Sequence, residues 1–492
     1  MRHFLYQDIL SNYGTLREIR AIIAKDEEVL IVKILLINPR DEGYYHRLGA
    51  FFPPLGLSYI SSVLKKAGHE VRIVDMNAVT YDYTKERFED YDVVGVSSDT
   101  VRFPLAKKIA KLAKERGSTV VMGGTHPTFD VNNILRNSIA DYVILGEGEM
   151  TFLELVESIK NRERYPNIDG LAYLKDGTIK IRPHRFVKDL DTIPFPDRDG
   201  LPLDKYLIKF DGKRATSMIT SRGCPFDCEF CSASQFMGRL WRKRSVKSSI
   251  EELKILVRKY GYKSIVFFDD NFTLDPKRAT EISEQILKND LKISWWAFSR
   301  ADELLGHEDM VEAMAKSGCK MLFIGFESAN DEALKEFKKK LKSDVAFDVV
   351  RLLKKYNIDV FASFILGALS DTRETIARTV KFAKRLSSIG ASIVQFSILT
   401  PYPGTRLFAK LKPLLLTNDW RLFDGTHLVF KHPNFTPKEL RKEFVKAYFK
   451  VYTTPKLLFK RGLPYFWKLI RNRGYRFSNV LDGKMIERVS ET

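Results

Sequence analysis

Cysteine is scarce in this chain of 492 residues, which contains only four. Three of the four lie between positions 224 and 231, and this excludes the disulfide framework of a small secreted domain. Long apolar runs are also missing, because no stretch reaches the about 20 apolar residues that a membrane-spanning helix needs. Residues 1–32 carry scattered charges, which is typical neither of a signal peptide nor of a membrane span. Clustered, unbridged thiolates need a reducing, low-oxygen compartment, so we expect a cytoplasmic protein.

Acidic residues are fewer than basic ones, 62 against 81, which gives a net charge of +19. This excess favours an anionic partner such as nucleic acid, a membrane surface or a phosphorylated substrate. A lysine-rich surface of the thermophilic kind would give the same balance, so charge alone leaves these alternatives open. The length suggests roughly two to four domains.

The cysteines Cys224, Cys228 and Cys231 follow a C-x3-C-x2-C pattern on one tight loop. Three thiolates so spaced can bind three irons of a [4Fe–4S] cluster and leave the fourth iron open to another ligand. A zinc knuckle is the alternative, but zinc normally takes a fourth Cys or His, and no His follows within reach. Cys319 lies just before a predicted strand, so we expect it to pack in a core rather than to react or bind the cluster.

The motif, with Phe230 directly before its last cysteine, resembles the signature of the radical S-adenosylmethionine (SAM) enzymes. This resemblance implies that the open iron binds SAM and that an electron from the cluster cleaves SAM to a 5′-deoxyadenosyl radical. It also implies a reductant such as ferredoxin or flavodoxin as a partner. No second cysteine group is present for an auxiliary cluster, which argues against a methylthiotransferase.

Six strand–helix repeats begin near residue 213 and predict a partial (β/α)6 barrel, a fold that places its chemistry at the carboxyl ends of the strands. Carboxylates there could accept hydrogen bonds from the SAM amine or ribose, and an arginine could clamp its carboxylate. Trp295, Trp296 and Tyr402 near the mouth could shape an apolar pocket or only pack. By resemblance to the family, the expected SAM contacts are Asp269, Asp270, Arg300, Glu327, Gly367 and Gln395.

Strands also alternate with helices between residues 33 and 165, which predicts a doubly wound parallel sheet. Ligands of such sheets bind at the carboxyl ends of the strands, where glycines let the backbone approach closely. These loops, directly ahead of the barrel, resemble those of the cobalamin (B12)-binding domain; a flavodoxin-like domain that only packs is the alternative. The cobalamin contacts implied by the resemblance are Pro54, Ser97, Ser98, Gly123, Gly124, His126, Gly146 and Glu147.

A histidine ligand to cobalt is not expected. Proteins that ligate cobalt through histidine carry Asp-x-His-x-x-Gly after the first strand, and here Tyr44 stands at the Asp position before His46. A ligating imidazole is normally oriented by a carboxylate on its other nitrogen. We therefore predict that His46 does not bind cobalt.

These patterns divide the chain into five parts. A hairpin with an Asp-Gly turn and a proline-rich stretch predict a linker between the two main domains. The expected parts are an amino-terminal extension (1–32), a cobalamin-binding domain (33–165), a linker (166–212), a radical SAM barrel (213–412) and an α-helical, basic and aromatic carboxyl-terminal region (413–492).

The sequence thus predicts a cobalamin-dependent radical SAM enzyme that functionalises an unactivated carbon, by C-methylation or by forming a C–C bond or ring. Acid–base catalysis cannot easily break a C–H bond that lacks acidity, which is why such reactions use these cofactors. A natural product, a protein or RNA are alternative substrates, although no RNA-binding module is recognisable and no nucleic-acid partner is expected. The alternative of another class is a non-catalytic cobalamin or SAM sensor, but a sensor does not need the cluster.

The carboxyl-terminal region suggests a substrate class. Residues 444–481 contain no acidic side chain and interleave basic with aromatic residues, which suits a helix lying on an anionic membrane surface. Pro455 and Pro464 interrupt the stretch, so it cannot span a bilayer. A tail that packs its apolar face on the barrel is the alternative. The membrane interpretation resembles the branch of the family that modifies hopanoid or tetraether lipids, so we expect a lipid or isoprenoid substrate and a peripheral position on the inner face of the cell membrane.

Overall fold

The computed structural model describes residues 31–40, 51–339 and 345–453. They form two seven-stranded sheets and one short two-stranded ribbon. Each sheet packs against helices that the chain forms between its strands. Among the described residues, no helix is both long and apolar enough to cross a membrane.

The first sheet is built largely from short runs of valine, isoleucine and leucine, which favour buried strands. Its strands are β1 (Lys33–Asn38), β2 (Glu70–Asp75), β3 (Val93–Ser97), β4 (Thr119–Gly123), β5 (Tyr142–Ile144), β6 (Leu171–Lys175) and β7 (Thr178–Ile181). They lie in the order β2-β1-β3-β4-β5-β6-β7, and the first five in sequence are parallel. The carboxyl ends of these five strands therefore meet at one edge of the sheet.

Helices cover both faces of this sheet, as predicted. They are α1 (Leu55–Lys66), α2 (Phe103–Glu115), α3 (Thr125–Phe129), α4 (Val131–Arg136) and α5 (Glu149–Lys160). One apolar core holds side chains of α1 and α5, and a second, on the other face, holds side chains of α2 and α4. The doubly wound arrangement is confirmed.

The hairpin β6–β7 belongs to the first sheet. Its first strand pairs antiparallel with β5, Ile144 opposite Leu171. The sequence assigned this hairpin to the linker, because an Asp-Gly turn shows that two strands pair but not which sheet they extend. The covalent connection to the barrel is therefore shorter than predicted.

The second sheet contains six parallel strands and one antiparallel edge strand. Its strands are β8 (Lys209–Phe210), β9 (Lys213–Met218), β12 (Ser264–Phe267), β13 (Ser294–Ser299), β14 (Cys319–Glu327), β15 (Asp359–Leu366) and β16 (Ala391–Ile398), and the ribbon consists of β10 (Ser221–Arg222) and β11 (Arg242–Lys243). The order β16-β15-β14-β13-β12-β9-β8 is that of the predicted partial barrel.

The remaining helices follow the strands of the second sheet. They are α6 (Ser232–Phe236), α7 (Val246–Lys254), α8 (Pro276–Lys288), α9 (Glu308–Lys316), α10 (Asp331–Glu336), α11 (Val345–Lys355), α12 (Arg373–Ile389), α13 (Arg406–Leu411) and α14 (Pro437–Tyr452). Alternate residues of the strands join these helices in one large apolar core. The other residues of the strands face the inner side of the partial barrel.

The last described helix, α14, closes the free edge of the second sheet. The Tyr452 hydroxyl accepts from Val394 N at 2.9 Å and donates to Val394 O at 2.7 Å. Tyr448 does the same for Phe396, at 3.1 and 3.0 Å. Backbone groups of β16 that an edge strand would leave unpaired are thus satisfied by two phenols.

Candidate active site

The cysteine loop begins directly after β10 in a conformation that only glycine accommodates. Gly223 has a φ of +86°, and a Cβ atom there would lie 1.9 Å from the carbonyl oxygen of Leu240. Cys228 is buried, Cys224 and Cys231 are half-buried, and all three thiols are free. The loop therefore presents three unbridged thiols.

Two adjacent carboxylates at the end of β12 hold this loop. Asp269 is fully buried and accepts from Thr220 N at 2.6 Å and from Ser221 Oγ at 2.7 Å. Asp270 accepts from Gly223 N at 2.9 Å and is accessible to solvent. The carboxylate of Asp269 thus binds the start of the cysteine loop, and the expectation that it contacts SAM stays a prediction.

The surroundings of the loop act on its thiols in two directions. Burial raises the pKa of Cys224 to about 11 and also raises the pKa of Cys228. The Arg300 and Lys339 cations oppose this rise at Cys228, and Arg300 also opposes it at Cys224. Uncharged thiols are thus favoured until a cation or metal stabilises the thiolates.

No group of three His, Cys, Asp or Glu in the described parts of the chain is arranged to hold a single metal ion. A cubane cluster makes a different demand, because each of its three thiolates binds a different iron. The sulfur atoms then need not converge on one point.

Two of the predicted SAM contacts lie beside the loop as ion pairs. Arg300 is held by Asp302 through two hydrogen bonds of 3.0 and 2.8 Å, and its guanidinium lies 3.6 Å from the centroid of Phe226. Glu327 is buried and accepts from Lys339 Nζ at 2.8 Å. Its φ of +65°, at an irregularity in the pairing of β14 with β15, is a strained conformation of the kind found at functional sites.

The last two predicted SAM contacts lie on β16 and directly after β15. Gly367 has a φ of +87°, donates its N–H to Asp371 at 3.0 Å, and leaves 2.7 Å between an added Cβ and Leu440. Gln395 is half-buried and pairs in register with Ser363. The expectation that Gly367 and Gln395 contact SAM stays a prediction.

A cavity of about 410 Å³ lies between the two sheets. Its lining from the first domain includes Ser97, Ser98, Gly123, Gly124, Gly146, Glu147 and Glu149, and its lining from the barrel includes Ser221, Arg222, Phe268 and Asp270. Pro54 starts α1, whose first turn also lines the cavity. The loops predicted to bind cobalamin and the residues around the cysteine loop thus face one space.

A buried cluster of charges joins the two domains at this cavity. Glu147 accepts from Arg222 Nη1 at 2.9 Å, from Arg242 Nη1 at 2.7 Å and from Val187 N at 2.9 Å. The nearby cations lower the pKa of Glu147 against the effect of its burial. Both oxygens of Glu147 accept hydrogen bonds that join the two domains, and the expectation that it also contacts cobalamin stays a prediction.

Glu149 is the residue of this cluster that the sequence analysis missed. It is 4% exposed, and its Oε1 accepts from Arg222 Nη2 at 2.7 Å. Its Oε2 has no hydrogen-bond partner among the described residues. The sequence offered one weak signal for it. Arg222 lies directly before the cysteine loop, and an arginine that is buried needs an acidic partner.

His126, another predicted cobalamin contact, lies away from the cavity. Its ring is 1% exposed and packs between Phe103, at a centroid distance of 4.1 Å, and Trp420, at 5.0 Å. Its Nε2 lies 3.3 Å from Asp130 Oδ2. The side chain of His126 thus packs between the first domain and the carboxyl-terminal region, and the expected contact with cobalamin stays a prediction.

Two other predictions concern single residues. Cys319 is 1% exposed and belongs to the barrel core, as expected, and burial raises its pKa strongly. Tyr44 and His46 lie outside the described residues, so the expectation that His46 does not ligate cobalt stays a prediction.

The inner face of the barrel carries a row of aromatic rings, here called the aromatic wall. Phe298 and Phe323 lie 5.1 Å apart and Phe323 and Phe361 4.8 Å apart, and their positions are in register on β13, β14 and β15. These rings are half-buried and belong to none of the apolar cores. The members of the wall are Phe268, Trp296, Phe298, Phe323 and Phe361.

The wall continues toward the cavity. Phe268 lines the cavity and contacts Phe52 of the first domain at a centroid distance of 5.0 Å. Trp295, by contrast, is fully buried in the core on the helical side. The two adjacent tryptophans therefore have opposite roles, as the alternation of a strand requires.

The start of the basic and aromatic carboxyl-terminal stretch packs on the barrel. Phe444 is buried in the core, and Tyr448 and Tyr452 bond to β16, whereas Phe449 is 46% exposed. These contacts agree with the packing alternative for residues 444–453, and the membrane interpretation stays a prediction. Residues 454–492 lie outside the described residues, and the interpretation stays untested there.

Comparisons with known families match both halves of the chain. Residues 44–156 match the B12 binding domain, and residues 218–383 match the radical SAM superfamily. The first match lies within the stretch that forms the first sheet, and the second lies within the stretch that forms the partial barrel. They leave the carboxyl-terminal region unassigned.

The chain is also similar to individual proteins over most of its length. It is 40% identical to an uncharacterized methyltransferase of Pyrococcus horikoshii, over 87% of this chain and 94% of that protein. It is 28% identical to the hopanoid C-3 methylase of Methylococcus capsulatus, over 81% and 76%. It is 26% identical to the anaerobic magnesium-protoporphyrin IX monomethyl ester cyclase of Rubrivivax gelatinosus, over 85% and 77%.

Two solved structures share the fold. The cobalamin-dependent SAM radical enzyme OxsB, with aqua-cobalamin and SAM bound, aligns with a TM-score of 0.72 at 19% identity, over 94% of this chain and 71% of that chain. The radical SAM methyltransferase TsrM of Kitasatospora setae, with cobalamin and a [4Fe–4S] cluster bound, aligns with a TM-score of 0.70 at 17% identity, over 94% and 99%. The arrangement of the two sheets is therefore shared with both.

Proposed function

The chain belongs to the family of cobalamin-binding radical SAM enzymes, and on that premise we propose that it methylates, or joins to another carbon, an unactivated carbon of an apolar lipid or isoprenoid-derived substrate. Its cofactors are a [4Fe–4S] cluster, SAM and cobalamin. The substrate class rests on the aromatic wall, the observation that carries the finer part of the proposal.

The residues present fit these cofactors. Cys224, Cys228 and Cys231 offer three free thiols on a loop that two carboxylates hold in place. At the cavity, Gly124 exposes bare backbone at a φ of +100°, and Glu149 Oε2 is a buried acceptor without a partner in the described chain. A ligand rich in amide donors suits that second site.

When bound, these cofactors supply a carbon-centred radical from SAM and, in methylating relatives, a transferable methyl group. The residues of the chain set the conditions for this chemistry. The three cysteines would hold the cluster, and the Arg300 and Lys339 cations would offset the negative charge of the thiolates. Asp270 and Glu327 are proposed to meet SAM, because both lie beside the loop and Asp270 is accessible.

The aromatic wall supports an apolar substrate. Half-buried rings that are left out of every core present apolar surface, and an apolar ligand would remove that surface from water. Because Phe268 belongs both to the wall and to the cavity, a ligand on the wall would also lie near the cofactor loops. Two relatives are named as a hopanoid C-3 methylase and a bacteriochlorophyllide d C-8(2)-methyltransferase, and the first of these names supports a lipid substrate.

The experiment described below can also detect a substrate of another class. A relative named as a methyltransferase of cytidylyl-2-hydroxyethylphosphonate shows that polar substrates occur among the relatives. A peripheral position at an anionic membrane and a ferredoxin or flavodoxin as reductant are part of the proposal. The similarity to radical SAM enzymes argues against a sensor without turnover.

The test supplies the anaerobically reconstituted protein with SAM that carries a deuterated methyl group, together with separate lipid, polar-metabolite, protein and RNA fractions of its host. We expect new deuterated species, or ring-closed species of lower mass, in the lipid fraction. Phe298→Ala should lower their yield, and Phe347→Ala, a half-buried ring packed on Phe382 at the helical side, is the matched control. Product confined to a polar, protein or RNA fraction would overturn the lipid proposal.

A further inference from the structure

Glu149 lies where the two domains meet, and only one of its two carboxylate oxygens accepts a hydrogen bond from the described residues. It is the first residue of α5 and lines the cavity between the domains. Its Oε1 accepts from Arg222 Nη2 at 2.7 Å, and its Oε2 has no partner in the described chain although the residue is 4% exposed. A buried acceptor left unpaired is destabilising, so the site favours a ligand that donates a hydrogen bond.

The chain does not supply that donor from the surrounding charge cluster. Arg222 uses its other terminal nitrogen on Glu147 at 2.9 Å, and Arg242 bonds to Glu147 and to Val187 O. Glu147 has both oxygens occupied and a third hydrogen bond from Val187 N. Within this cluster, Glu149 has the one carboxylate oxygen that lacks a hydrogen-bond partner among the described residues.

The ligand of this cavity carries the required groups. The rim of a corrin ring bears carboxamide side chains, whose N–H groups are strong donors to a carboxylate. We propose that Glu149 Oε2 accepts a hydrogen bond from a carboxamide of the bound corrinoid. This inference rests on cobalamin as cofactor and is independent of the substrate.

The other side of Glu149 gives the contact a second consequence. Arg222 directly precedes Gly223 and Cys224, and its guanidinium also lies 5.0 Å from the ring centroid of Tyr59. One carboxylate thus holds the corrinoid on one oxygen and the base of the cysteine loop on the other. Glu149 is a corrinoid-binding residue that also fixes the position of the corrinoid relative to the cluster loop.

The test measures corrinoid binding, not turnover. Wild-type protein and the variant Glu149→Ala are titrated with cobalamin and with its monocarboxylate analogues, in each of which one carboxamide is replaced by a carboxylate, and binding is followed by visible absorption. In the wild type, we expect one analogue to bind more weakly than cobalamin by on the order of 10-fold or more, because two carboxylates would face each other. In Glu149→Ala, this penalty should disappear.

A matched variant controls for damage to the fold. Glu252 is 2% exposed and pairs with Arg198 at 3.2 Å and with Arg244, but it does not line the cavity. Glu252→Ala should lower thermal stability and keep the penalty against the same analogue. If no analogue is rejected by the wild type, or if Glu149→Ala rejects the same one, the inference is overturned.

The outcome separates this inference from the proposed function. Equal, strong binding of every analogue would remove the role of Glu149 and leave the methylation proposal standing. Absence of any product in the lipid fraction would remove the substrate proposal and leave Glu149 in place. Failure of the wild type to bind any corrinoid would overturn the inference along with the cofactor on which it rests.

Discussion

The backbone N–H of Thr220 donates to Asp269 at 2.6 Å, across 49 residues of sequence. This bond, with that of Ser221 to the same carboxylate, fixes the last residues before the cysteine loop to the end of the neighbouring strand. The position of the three thiols therefore depends on a side chain that touches none of them.

Replacing Asp269 with Ala should impair assembly of the cluster. Each hydrogen bond to a charged group contributes about 1.5–3 kcal/mol, so we expect iron content and absorbance near ~400 nm to fall by roughly half or more after reconstitution. The control is Asp275→Ala, which removes the carboxylate that accepts from Arg278 N at the start of α8. This variant should retain the cluster. Full iron content in Asp269→Ala would show that the loop holds its shape without the carboxylate.

Three of the four cysteines should be required for the cluster, and the fourth should not. Cys224→Ala, Cys228→Ala and Cys231→Ala should each abolish cluster absorbance and release of 5′-deoxyadenosine, because three thiolates are the minimum set. Cys319→Ala should keep both and lose about 1 kcal/mol of stability, since it removes one buried sulfur from the core. Loss of the cluster in Cys319→Ala would contradict the ligand assignment.

The metal-free protein should show a pH dependence from Cys224. Its pKa is raised from 9.0 to about 11 by burial, so the folded state binds a proton that the unfolded state loses first. The stability that this thiol contributes is complete below pH 9 and is lost as the pH rises toward 11. Alkylation of Cys224 by iodoacetamide should accordingly be slow at neutral pH and accelerate toward pH 11, as mass spectrometry of the peptide would show; rapid labelling at pH 7 would contradict the raised pKa.

Gly124 should be required for corrinoid binding. At its φ of +100°, an added Cβ would lie 2.6 Å from Ser98 O, at a loop that lines the cavity. Gly124→Val should therefore reduce corrinoid content after anaerobic purification to near background. Gly117→Ala has a similar φ of +90° but meets no atom within 4 Å, so it controls for backbone strain and should load normally.

Membrane association can be tested by a truncation that keeps all the described helices and strands. A chain ending at Thr453 keeps the contacts of Tyr448 and Tyr452 with β16, and the segment removed contains nine basic residues in 39. If this segment binds anionic lipid, the full chain should sediment with anionic liposomes at low salt and be released at high salt, while the truncated chain stays in solution. Equal and negligible sedimentation of both would remove the membrane part of the proposal.

The sequence predicted the order of strands and helices well, because parallel strands require apolar runs and their helices end at recognisable residues. It also identified the cysteine loop, whose ligands are adjacent in sequence. It could not identify partners that lie far away in the sequence: Asp269 and Glu147, both expected to bind cofactors, accept hydrogen bonds from Ser221 and Arg222. Glu149 was missed for the same reason, since only three-dimensional proximity to Arg222 distinguishes it from an ordinary acidic residue at a helix start.

A partial barrel leaves a strand edge on which another chain could build, and charged side chains are a common defence against such growth. In this protein, the hydroxyls of Tyr448 and Tyr452 on α14 bond to the edge strand β16 instead. A phenol is uncharged, so salt does not screen these bonds. We therefore expect high ionic strength to leave this protection of the strand intact. Replacing both tyrosines by phenylalanine would remove the hydrogen bonds that their hydroxyls make to the backbone of Val394 and Phe396.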